Sequence, residues 1–432
     1  MRTVTITDES MKDIQSGLLK RSPGQYTEYE SVVSDIIADV RARGDEAVFE
    51  LTKKFDKWDI SKDDLMVKES EIDEAYSAFD KRLIRVMEKS AANIREYHKK
   101  QLLNSFFTTD ESGTMLGQKI TPIENVGVYV PGGKAAYPSS TLMCIIPAVV
   151  AGVKNIVMAT PAANGCVNPG TLVAARIAGV DRIYKVGGAQ AIAALAFGTG
   201  SVPKVDKIVG PGNIFVALAK KAVFGHVSID SVAGPSEILV IADDSADPSY
   251  VAADLLSQAE HDELASAILI TDSAKLAEQV SEYVDKFTEK LERKEIIKRS
   301  LANYGYILIS KDMDEAAEVA NLIASEHVEI MTKDPHSLMT KINNAGAIFL
   351  GAYSSEPLGD YFAGPDHVLP TNGTARFFSP LGVDSFIKRT SIISYSKSAL
   401  EDACDDIMDF ARAEGLTAHA NSIGLRFNKG VL

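Results

Sequence analysis

A glutamine and a histidine stand three residues apart at the end of an apolar, helical-looking stretch. The run VAADLL leads into SQAEH (257–261), and a second apolar run, ASAILIT, follows. Residues three apart project from nearly the same face of a helix, so Gln258 and His261 could present an oxygen and an imidazole nitrogen to one ligand. They could also be idle surface residues. The rest of the chain has to distinguish these two interpretations.

Four histidines have a carboxylate or an amide within seven residues. They are His261, His327 beside Glu326 in ASEHVEI, His367 after Asp360 in GDYFAGPDH, and His419 in EGLTAHAN. Imidazole and carboxylate ligands together are common around a catalytic zinc. No HExxH motif is present, so the sequence does not support a zincin hydrolase. Spacing alone leaves a metal site and ordinary capping or hydrogen-bonding roles both open.

Glycine-rich turns recur where a strand is predicted to lead into a helix. They are VYVPGG (128–133), KVGGAQ (185–190), IVGPGN (208–213) and SVAGPSE (231–237). Glycine lets a backbone approach a ligand closely, and helix N-termini offer free N–H groups to phosphate or carboxylate. None of the turns matches GxGxxG, and the chain has no GxxxxGKS loop. Four such turns at one end of a sheet favour a phosphate-bearing or nucleotide ligand.

Composition indicates a soluble protein and excludes several classes. The chain has 432 residues, 46% hydrophobic and 24% charged, with a net charge of −14. That charge argues against nucleic acid as a partner. Three scattered cysteines, Cys144, Cys166 and Cys404, give neither a zinc cage nor a disulfide framework. The sequence suggests no signal peptide and no membrane span, so we expect a cytoplasmic location without membrane partners.

Hydrophobic patterning predicts a helical N-terminal part followed by α/β alternation. Residues up to about 103 are helical in pattern, and in this part we interpret Trp58 as a packing residue and His98, in EYHKK, as solvated surface. Two series of short apolar strands follow, the first from VGVYV to DKIVG and the second from EILVIA to AIFLG. Alternation of this kind predicts two parallel sheets, with ligands at the carboxyl ends of strands. The tail from about 381 ends in a helix that Gly415 terminates.

Nine motifs, in order, resemble the histidinol dehydrogenase family. They are VGVYVPGG, YPSSTLM, GGAQAIAALAFGTG, VDKIVGPGN, AGPSEILVIAD, LLSQAEHD, SEH, GDYFAGPDHVLPT and EGLTAHANSIGLR. The resemblance runs from about residue 120 to the C-terminus and implies the last step of histidine biosynthesis. In that step L-histidinol is oxidised through the aldehyde to L-histidine while two NAD are reduced.

The resemblance also implies roles for individual residues. One zinc per subunit would be bound by Gln258, His261, Asp360 and His419, which would explain the spacing in SQAEH. His327 would act as general base and Glu326 would activate the water that hydrates the aldehyde. Further substrate contacts carried over by motif are Ser236, His367 and Glu414.

For NAD, the family's contacts map to Tyr129, Gln190 and Asn213, on three of the four glycine turns. Tyr129 could also be a core aromatic residue, and Asn213 a helix cap.

The implied architecture is α/β, with two Rossmann-like parallel-sheet domains, one inserted in the other, a helical N-terminal part and an extended C-terminal tail. The expected divisions are an N-terminal arm (1–25), a first α/β domain (26–125 with 237–380) that carries metal and substrate residues, a cofactor-side α/β domain (126–236) and a tail (381–432). The family works as a homodimer with exchanged tails, so Glu414 and His419 would enter the active site of the partner subunit.

Two other functions stay open on the sequence alone. A paralogous zinc- and NAD-dependent dehydrogenase could oxidise another small alcohol, and a zinc hydrolase could use the same ligands to activate water. Glu414 suits a substrate with a cationic or imidazole group, which favours histidinol over another alcohol. A hydrolase would leave the glycine turns with Gln190 and Asn213 without a function.

Overall fold

The computed structural model describes residues 1–19, 27–132, 137–180 and 182–429. Gly133, the last residue of the first glycine turn, and the end of the predicted arm (20–25) lie outside the described residues. The chain divides into two compact units. Unit 1 consists of Met1–Gln101 and Ile123–Phe386, and unit 2 of Leu102–Pro122 and Ile387–Leu432.

Strands and helices alternate through most of unit 1. In chain order the strands are β1 (Arg2–Thr5), β2 (Phe106–Thr109), β3 (Met115–Pro122), β4 (Asn125–Tyr129), β5 (Asn155–Ala159), β6 (Arg182–Tyr184), β7 (Lys207–Val209), β8 (Ser228–Ile229), β9 (Glu237–Ala242), β10 (Ser266–Thr271), β11 (Gly305–Ile309), β12 (His327–Met331), β13 (Ala347–Leu350) and β14 (Ile387–Ser394). The α-helices are α1 (Asp8–Leu19), α2 (Thr27–Arg43), α3 (Asp45–Asp56), α4 (Glu69–Ala78), α5 (Lys81–Lys99), α6 (Pro138–Ala151), α7 (Pro169–Ala178), α8 (Gly188–Phe197), α9 (Ile214–Val223), α10 (Pro248–Ala259), α11 (Ala274–Thr288), α12 (Lys294–Tyr304), α13 (Met313–Ile323), α14 (Pro335–Met339), α15 (Glu356–Leu358), α16 (Lys397–Ala413) and α17 (Thr417–Gly424). A π-helical turn, Gly359–Ala363, directly follows α15.

Unit 1 contains two sheets that are parallel throughout, which confirms the predicted fold class. The six-stranded sheet has the order β1-β11-β10-β9-β12-β13, and the five-stranded sheet has the order β6-β5-β4-β7-β8. Along β9, Ile238 and Val240 pack into one apolar cluster, whereas Leu239 and Ile241 pack into another. Successive side chains of a strand point to opposite faces, so helices cover this sheet on both sides.

The helical N-terminal part packs on the helices of the five-stranded sheet. Val33 and Val40 of α2 and Val48 of α3 share one core cluster with Ile192 of α8 and Val216 of α9. The predicted division placed residues 26–125 with the other sheet, and this packing favours a different assignment for α2 and α3. The domain boundaries stay a prediction.

Unit 2 contains a sheet that the sequence reading missed. Strands β14, β3 and β2 form a three-stranded antiparallel sheet in that order. The tail does not end with the helix that Gly415 terminates, because a further helix, α17, follows it. Within the described part of the chain, no helix combines the length and the apolar character that spanning a bilayer requires.

A buried ion pair fixes the turn after β7. Lys220 of α9 pairs with Asp230, and both side chains are buried. The same lysine donates to the carbonyl of Gly210 (2.9 Å), and Asp230 accepts the N–H of Gly210 (2.7 Å). Gly210 has a φ of +112°, and a Cβ there would stand 2.0 Å from the carbonyl oxygen of Tyr129. Only glycine fits at this position of the turn that leads to Asn213.

We expect Gly210→Ala to lower the free energy of unfolding by roughly 2–4 kcal/mol, because it combines an unfavourable φ with a backbone clash. Gly179→Ala is the matched control, since Gly179 also has a positive φ (+94°) but has nothing within 4 Å of the added Cβ. Gly179→Ala should lower the free energy of unfolding by about 1–2 kcal/mol. Urea denaturation of both variants measures the difference, and equal losses would contradict the close approach to Tyr129.

Candidate active site

The end of helix α10 brings Gln258 into the interior of unit 1. Asp247 caps this helix by accepting the N–H of Ser249 (2.8 Å), and Pro248 occupies its first turn. Gln258 is buried, whereas His261, just past the helix end, is exposed. The amide nitrogen of Gln258 lies 3.3 Å from the carbonyl oxygen of Glu237, and its Oε1 is buried without a hydrogen-bond partner among the described residues. An unpartnered buried amide oxygen is costly unless a ligand binds it.

His327 opens strand β12 with its two ring nitrogens in different surroundings. Its Nδ1 lies 2.9 Å from the carbonyl oxygen of Glu237 and 2.9 Å from Nε2 of Gln258. A carbonyl can only accept, so we assign the ring hydrogen to Nδ1; the amide nitrogen of Gln258, which can only donate, then donates to the same Glu237 carbonyl and not to Nδ1. The other nitrogen, Nε2, is buried and has no hydrogen-bond partner among the described residues. Burial lowers the pKa of His327, against the opposing charge of Asp360. The imidazole is therefore neutral, with Nε2 free to accept a proton.

Glu326 precedes His327 and is held by the backbone of the neighbouring strand. Its Oε2 accepts the N–H of Glu237 (3.0 Å), and its own N–H donates to Oε2 of Glu237 (3.3 Å). Burial raises the pKa of Glu326 well above the ordinary range, and the charge of Glu237 raises it further. A carboxylate in such a position is a stronger base than one in water.

Asp360 and His367 lie together on the segment that follows α15. Nδ1 of His367 is 3.1 Å from the carbonyl oxygen of Asp360 and 3.6 Å from its carboxylate. Nε2 of His367 is 3.1 Å from the hydroxyl of Ser140, in the first turn of α6. Burial lowers the pKa of His367, which the Asp360 carboxylate opposes.

The end of α10, helix α15 and the π-helical turn after it bring metal-ligating atoms to one place. One atom each of His261, Glu356 and Asp360 lie within 4.8 Å of one another. His261 and Asp360 belong to the predicted zinc set, and Glu356 does not. Nitrogen and oxygen donors at this separation suit a divalent cation such as zinc.

Glu356 belongs to a group of buried carboxyls that the motif reading missed. Desolvation raises the pKa of Glu356 to about 9, that of Asp254 to about 6, and that of Glu329 well above the usual range. Glu329 accepts the N–H of Glu356 (2.7 Å), and Ser257 donates to the carboxyl of Glu356 (3.2 Å). The sequence contained a signal for this group, because Glu329 lies in the apolar strand HVEIM and a glutamate buried in a core has to be hydrogen-bonded.

The predicted cofactor residues all lie at the carboxyl ends of strands in the five-stranded sheet. Tyr129 ends β4 and is buried, and its hydroxyl accepts the N–H of Gly188 (3.1 Å). Burial raises the pKa of Tyr129 to about 12. Gln190, in the first turn of α8, is buried as well. Asn213 caps α9 by accepting from Phe215 and Val216 (3.1 and 3.2 Å), while its side chain stays exposed at the turn.

The substrate-side residues occupy the opposite end of their strands. Glu237, Glu326 and His327 stand at the amino ends of β9 and β12, whereas we expected ligands at the carboxyl ends of strands. Helix α10 ends at this same edge. The fourth glycine turn, SVAGPSE, differs from the other three because it leads into strand β9 and not into a helix.

The remaining predicted residues are distributed over both units. Ser236 lies directly before β9 and is half-buried, and its carbonyl accepts the N–H of Ser266 (3.0 Å). Glu414 and His419 belong to unit 2, where Glu414 ends α16 and His419 lies in α17, and both side chains are exposed.

Comparison with known proteins agrees with the motif order. The family model for histidinol dehydrogenase matches residues 19–427. Histidinol dehydrogenase of Halalkalibacterium halodurans is 55% identical over 428 residues, which cover 99% of each chain. That of Bacillus subtilis is 57% identical over 410 residues, 94% of this chain and 96% of the relative. The crystal structure of histidinol dehydrogenase from Elizabethkingia anophelis superposes with a TM-score of 0.93 at 37% identity and covers 99% of this chain and 98% of that chain.

These relatives favour neither a zinc hydrolase nor a dehydrogenase of another alcohol. The match runs through both parallel sheets and through the tail, so it is not confined to one motif or one domain. The chain belongs to the histidinol dehydrogenase family of NAD-dependent oxidoreductases.

Proposed function

We propose that this chain oxidises L-histidinol through L-histidinal to L-histidine, with one zinc per subunit and two NAD per turnover. The observation that carries the proposal is the free Nε2 of His327, which is buried beside Glu326 and beside the unpartnered oxygen of Gln258. A base, a second base for water and an open ligand atom meet at one place in unit 1.

His327 is the general base of both oxidations. Bound NAD supplies the acceptor for the hydride that leaves the substrate carbon, and bound zinc orients the substrate. The alcohol proton passes to Nε2, because the Glu237 carbonyl keeps the hydrogen of the ring on Nδ1. Glu326, in its ionised form, removes a proton from the water that adds to the aldehyde carbon. His327 releases the first proton to solvent and then accepts a proton from the hydrate in the second oxidation.

The donor set fits zinc. Gln258 offers an oxygen without a partner among the described residues, and His261 and Asp360 lie close enough to share one ion. His419 would complete the set. Asp360 would be the one anionic ligand of the four, so the site would keep a net positive charge and leave room for neutral substrate nitrogens.

Ser236, His367 and Glu414 complete the proposed substrate site. His367 stands next to Asp360 and is held by Ser140. Glu414 supplies a negative charge for a cationic amino or imidazole group. NAD would lie along Tyr129, Gln190 and Asn213, at turns where backbone N–H groups and helix N-termini favour phosphate.

The proposal includes a homodimer in which Glu414 and His419 serve the active site of the partner subunit. Unit 2 exposes the apolar side chains of Phe106, Ile393 and Phe410, which suits a surface that another chain covers. A cytoplasmic location belongs to the same proposal.

We expect His327→Asn to lower kcat by about 10²–10⁴, because the asparagine amide cannot take up the alcohol proton at the place of Nε2. Glu326→Gln should form one NADH per histidinol instead of two, since hydration of the aldehyde would fail. Stopped-flow absorbance of NADH measures both. Glu263→Gln, an exposed glutamate near the same helix end, is the control and should keep both oxidations. Two NADH per histidinol from the Glu326 variant would contradict its role with water.

We expect a chelator to abolish turnover and added zinc to restore it. Gln258→Ala should weaken zinc binding by about 10–100-fold, because the variant lacks the free amide oxygen. Competition with a chromophoric chelator measures the dissociation constant. Gln279→Ala on α11 is the matched control and should bind zinc like the wild type. Unchanged affinity in the Gln258 variant would remove this residue from the ligand set.

Two inactive variants test whether His419 acts in the partner subunit. His327→Asn and His419→Asn should each be inactive alone. In a heterodimer of the two, one site would contain both native histidines only if His419 comes from the partner. Random assortment would then restore about a quarter of wild-type activity. Turnover of the co-expressed pair, with the dimer checked by sedimentation, gives the answer, and no recovery would contradict tail exchange.

A further inference from the structure

The segment that carries Asp360 and His367 is irregular. We name residues 359–367 the Asp360 loop. It begins with the π-helical turn Gly359–Ala363 and, past Ala363, forms neither helix nor strand. A segment without a regular hydrogen-bond ladder has to be held in position by its neighbours.

Side chains of helix α5 hold the backbone of this loop by hydrogen bonds. The hydroxyl of Ser90 donates to the carbonyl of Tyr361 (2.7 Å), and the amide of Asn93 donates to the carbonyl of Phe362 (2.8 Å). Gly364 has a φ of +112°, and a Cβ there would stand 2.8 Å from the carbonyl oxygen of Asn93. The loop therefore lies against the helix backbone itself.

One turn further along α5, His98 faces Asp366, the residue before His367. We expected His98 to be solvated, and this was wrong, because the side chains of His98 and Asp366 are both fully buried. The Oε1 of Gln101 accepts the N–H of Val383 (3.0 Å), which fixes the orientation of that amide. The same oxygen lies 2.9 Å from Nδ1 of His98, so this nitrogen carries the ring hydrogen.

The remaining atoms of the two side chains point at each other. Nε2 of His98 lies 3.9 Å from Oδ2 of Asp366, and neither atom has a hydrogen-bond partner among the described residues. The other oxygen of Asp366 accepts the N–H of Val368 (2.8 Å). Burial lowers the pKa of His98 and raises that of Asp366. Burial thus disfavours the charged form of each group, and at 3.9 Å the two atoms are in polar contact without a hydrogen bond.

We propose that Ser90, Asn93 and His98, the anchor residues of α5, position the Asp360 loop for the reaction. His98 acts through Asp366, which sets the place of the adjacent His367 against Asp360 and Ser140. The inference rests on the proposed function, since it takes Asp360 and His367 to belong to the reacting site. The anchor residues touch neither substrate nor metal and are positioning residues.

Two substitutions of nearly equal size at Asp366 separate positioning from packing. Asp366→Asn keeps the hydrogen bond from Val368, because its carbonyl accepts, and keeps a polar group facing Nε2 of His98. Asp366→Leu keeps the volume and removes both. We expect the leucine variant to weaken zinc binding and to lower kcat/KM for histidinol, each by about 10–100-fold. The asparagine variant should stay within about threefold of the wild type, and KM for NAD should hardly change in either.

Amide hydrogen exchange gives a readout that does not depend on zinc or turnover. In Asp366→Leu, exchange should accelerate in residues 359–367 and stay unchanged in β9 and β12. If the leucine variant does not fold, Asn93→Ala carries the test, since it removes one partly exposed hydrogen bond. We expect it to weaken zinc binding about threefold to tenfold. Lys89→Ala, on the exposed side of α5, is the control and should match the wild type.

The outcomes separate this inference from the function on which it rests. A wild-type protein that neither binds zinc nor forms NADH from histidinol would refute the proposed function, and the inference with it. If the wild type is active, one result would overturn the inference alone. This would be an Asp366→Leu or Asn93→Ala variant that loses thermal stability but keeps wild-type zinc affinity, kcat/KM and loop exchange. Faster loop exchange and weaker zinc binding, restored in Asp366→Asn, would support it.

Discussion

The arrangement of the proposed active site depends on the register between β9 and β12. The two strands run parallel with His327 opposite Ile238, which places Glu326 and Glu237 side by side. The backbone and the side chain of Glu237 both form hydrogen bonds at that point. Its carbonyl accepts from His327 and its N–H donates to Glu326. Its carboxylate accepts from the N–H groups of Glu326 and Asn372. A shift of one residue would turn every side chain of β12 to the other face. The strand pairing that buries the sheet therefore also fixes the position of His327, the proposed base.

The proposed cofactor residues and the proposed catalytic residues lie at opposite strand ends of their two sheets. The electrostatics of each end suit a different ligand. At the five-stranded sheet, helices α8 and α9 begin beside the proposed cofactor residues, and helix N-termini carry a partial positive charge that favours phosphate. At the six-stranded sheet the site lies where α10 ends, and helix C-termini favour cations. A bound zinc ion would be stabilised there. The proposed cofactor residues thus lie at carboxyl strand ends and the proposed base lies at an amino strand end.

Motif order allowed more to be predicted than periodicity did. The alternation of strands and helices predicted both parallel sheets, because their strands are apolar on both faces. Strands β2 and β3 were missed, since the residues of β2 are exposed and those of β3 are half-buried or exposed, which gives no buried alternation. His98 was misread because its neighbours in EYHKK are charged, yet Ile84, Ala91, Ile94 and His98 follow the helical spacing of one buried face. The contact between His98 and Asp366 joins residues 268 positions apart, and local patterning carries no signal for such a pair.

The buried carboxyls behind the site show how one anionic ligand can be kept among many acidic groups. Asp254, Glu329 and Glu356 lie in a desolvated region, where several adjacent charges would repel one another strongly. Burial raises the pKa of Glu329 well above its ordinary range and that of Glu356 to about 9, which favours the neutral form of both carboxyls. A protonated Glu356 beside Asp360 leaves a single carboxylate facing the proposed zinc. The site then stays cationic enough for a neutral imidazole or amine to bind, even in a chain with a net charge of −14.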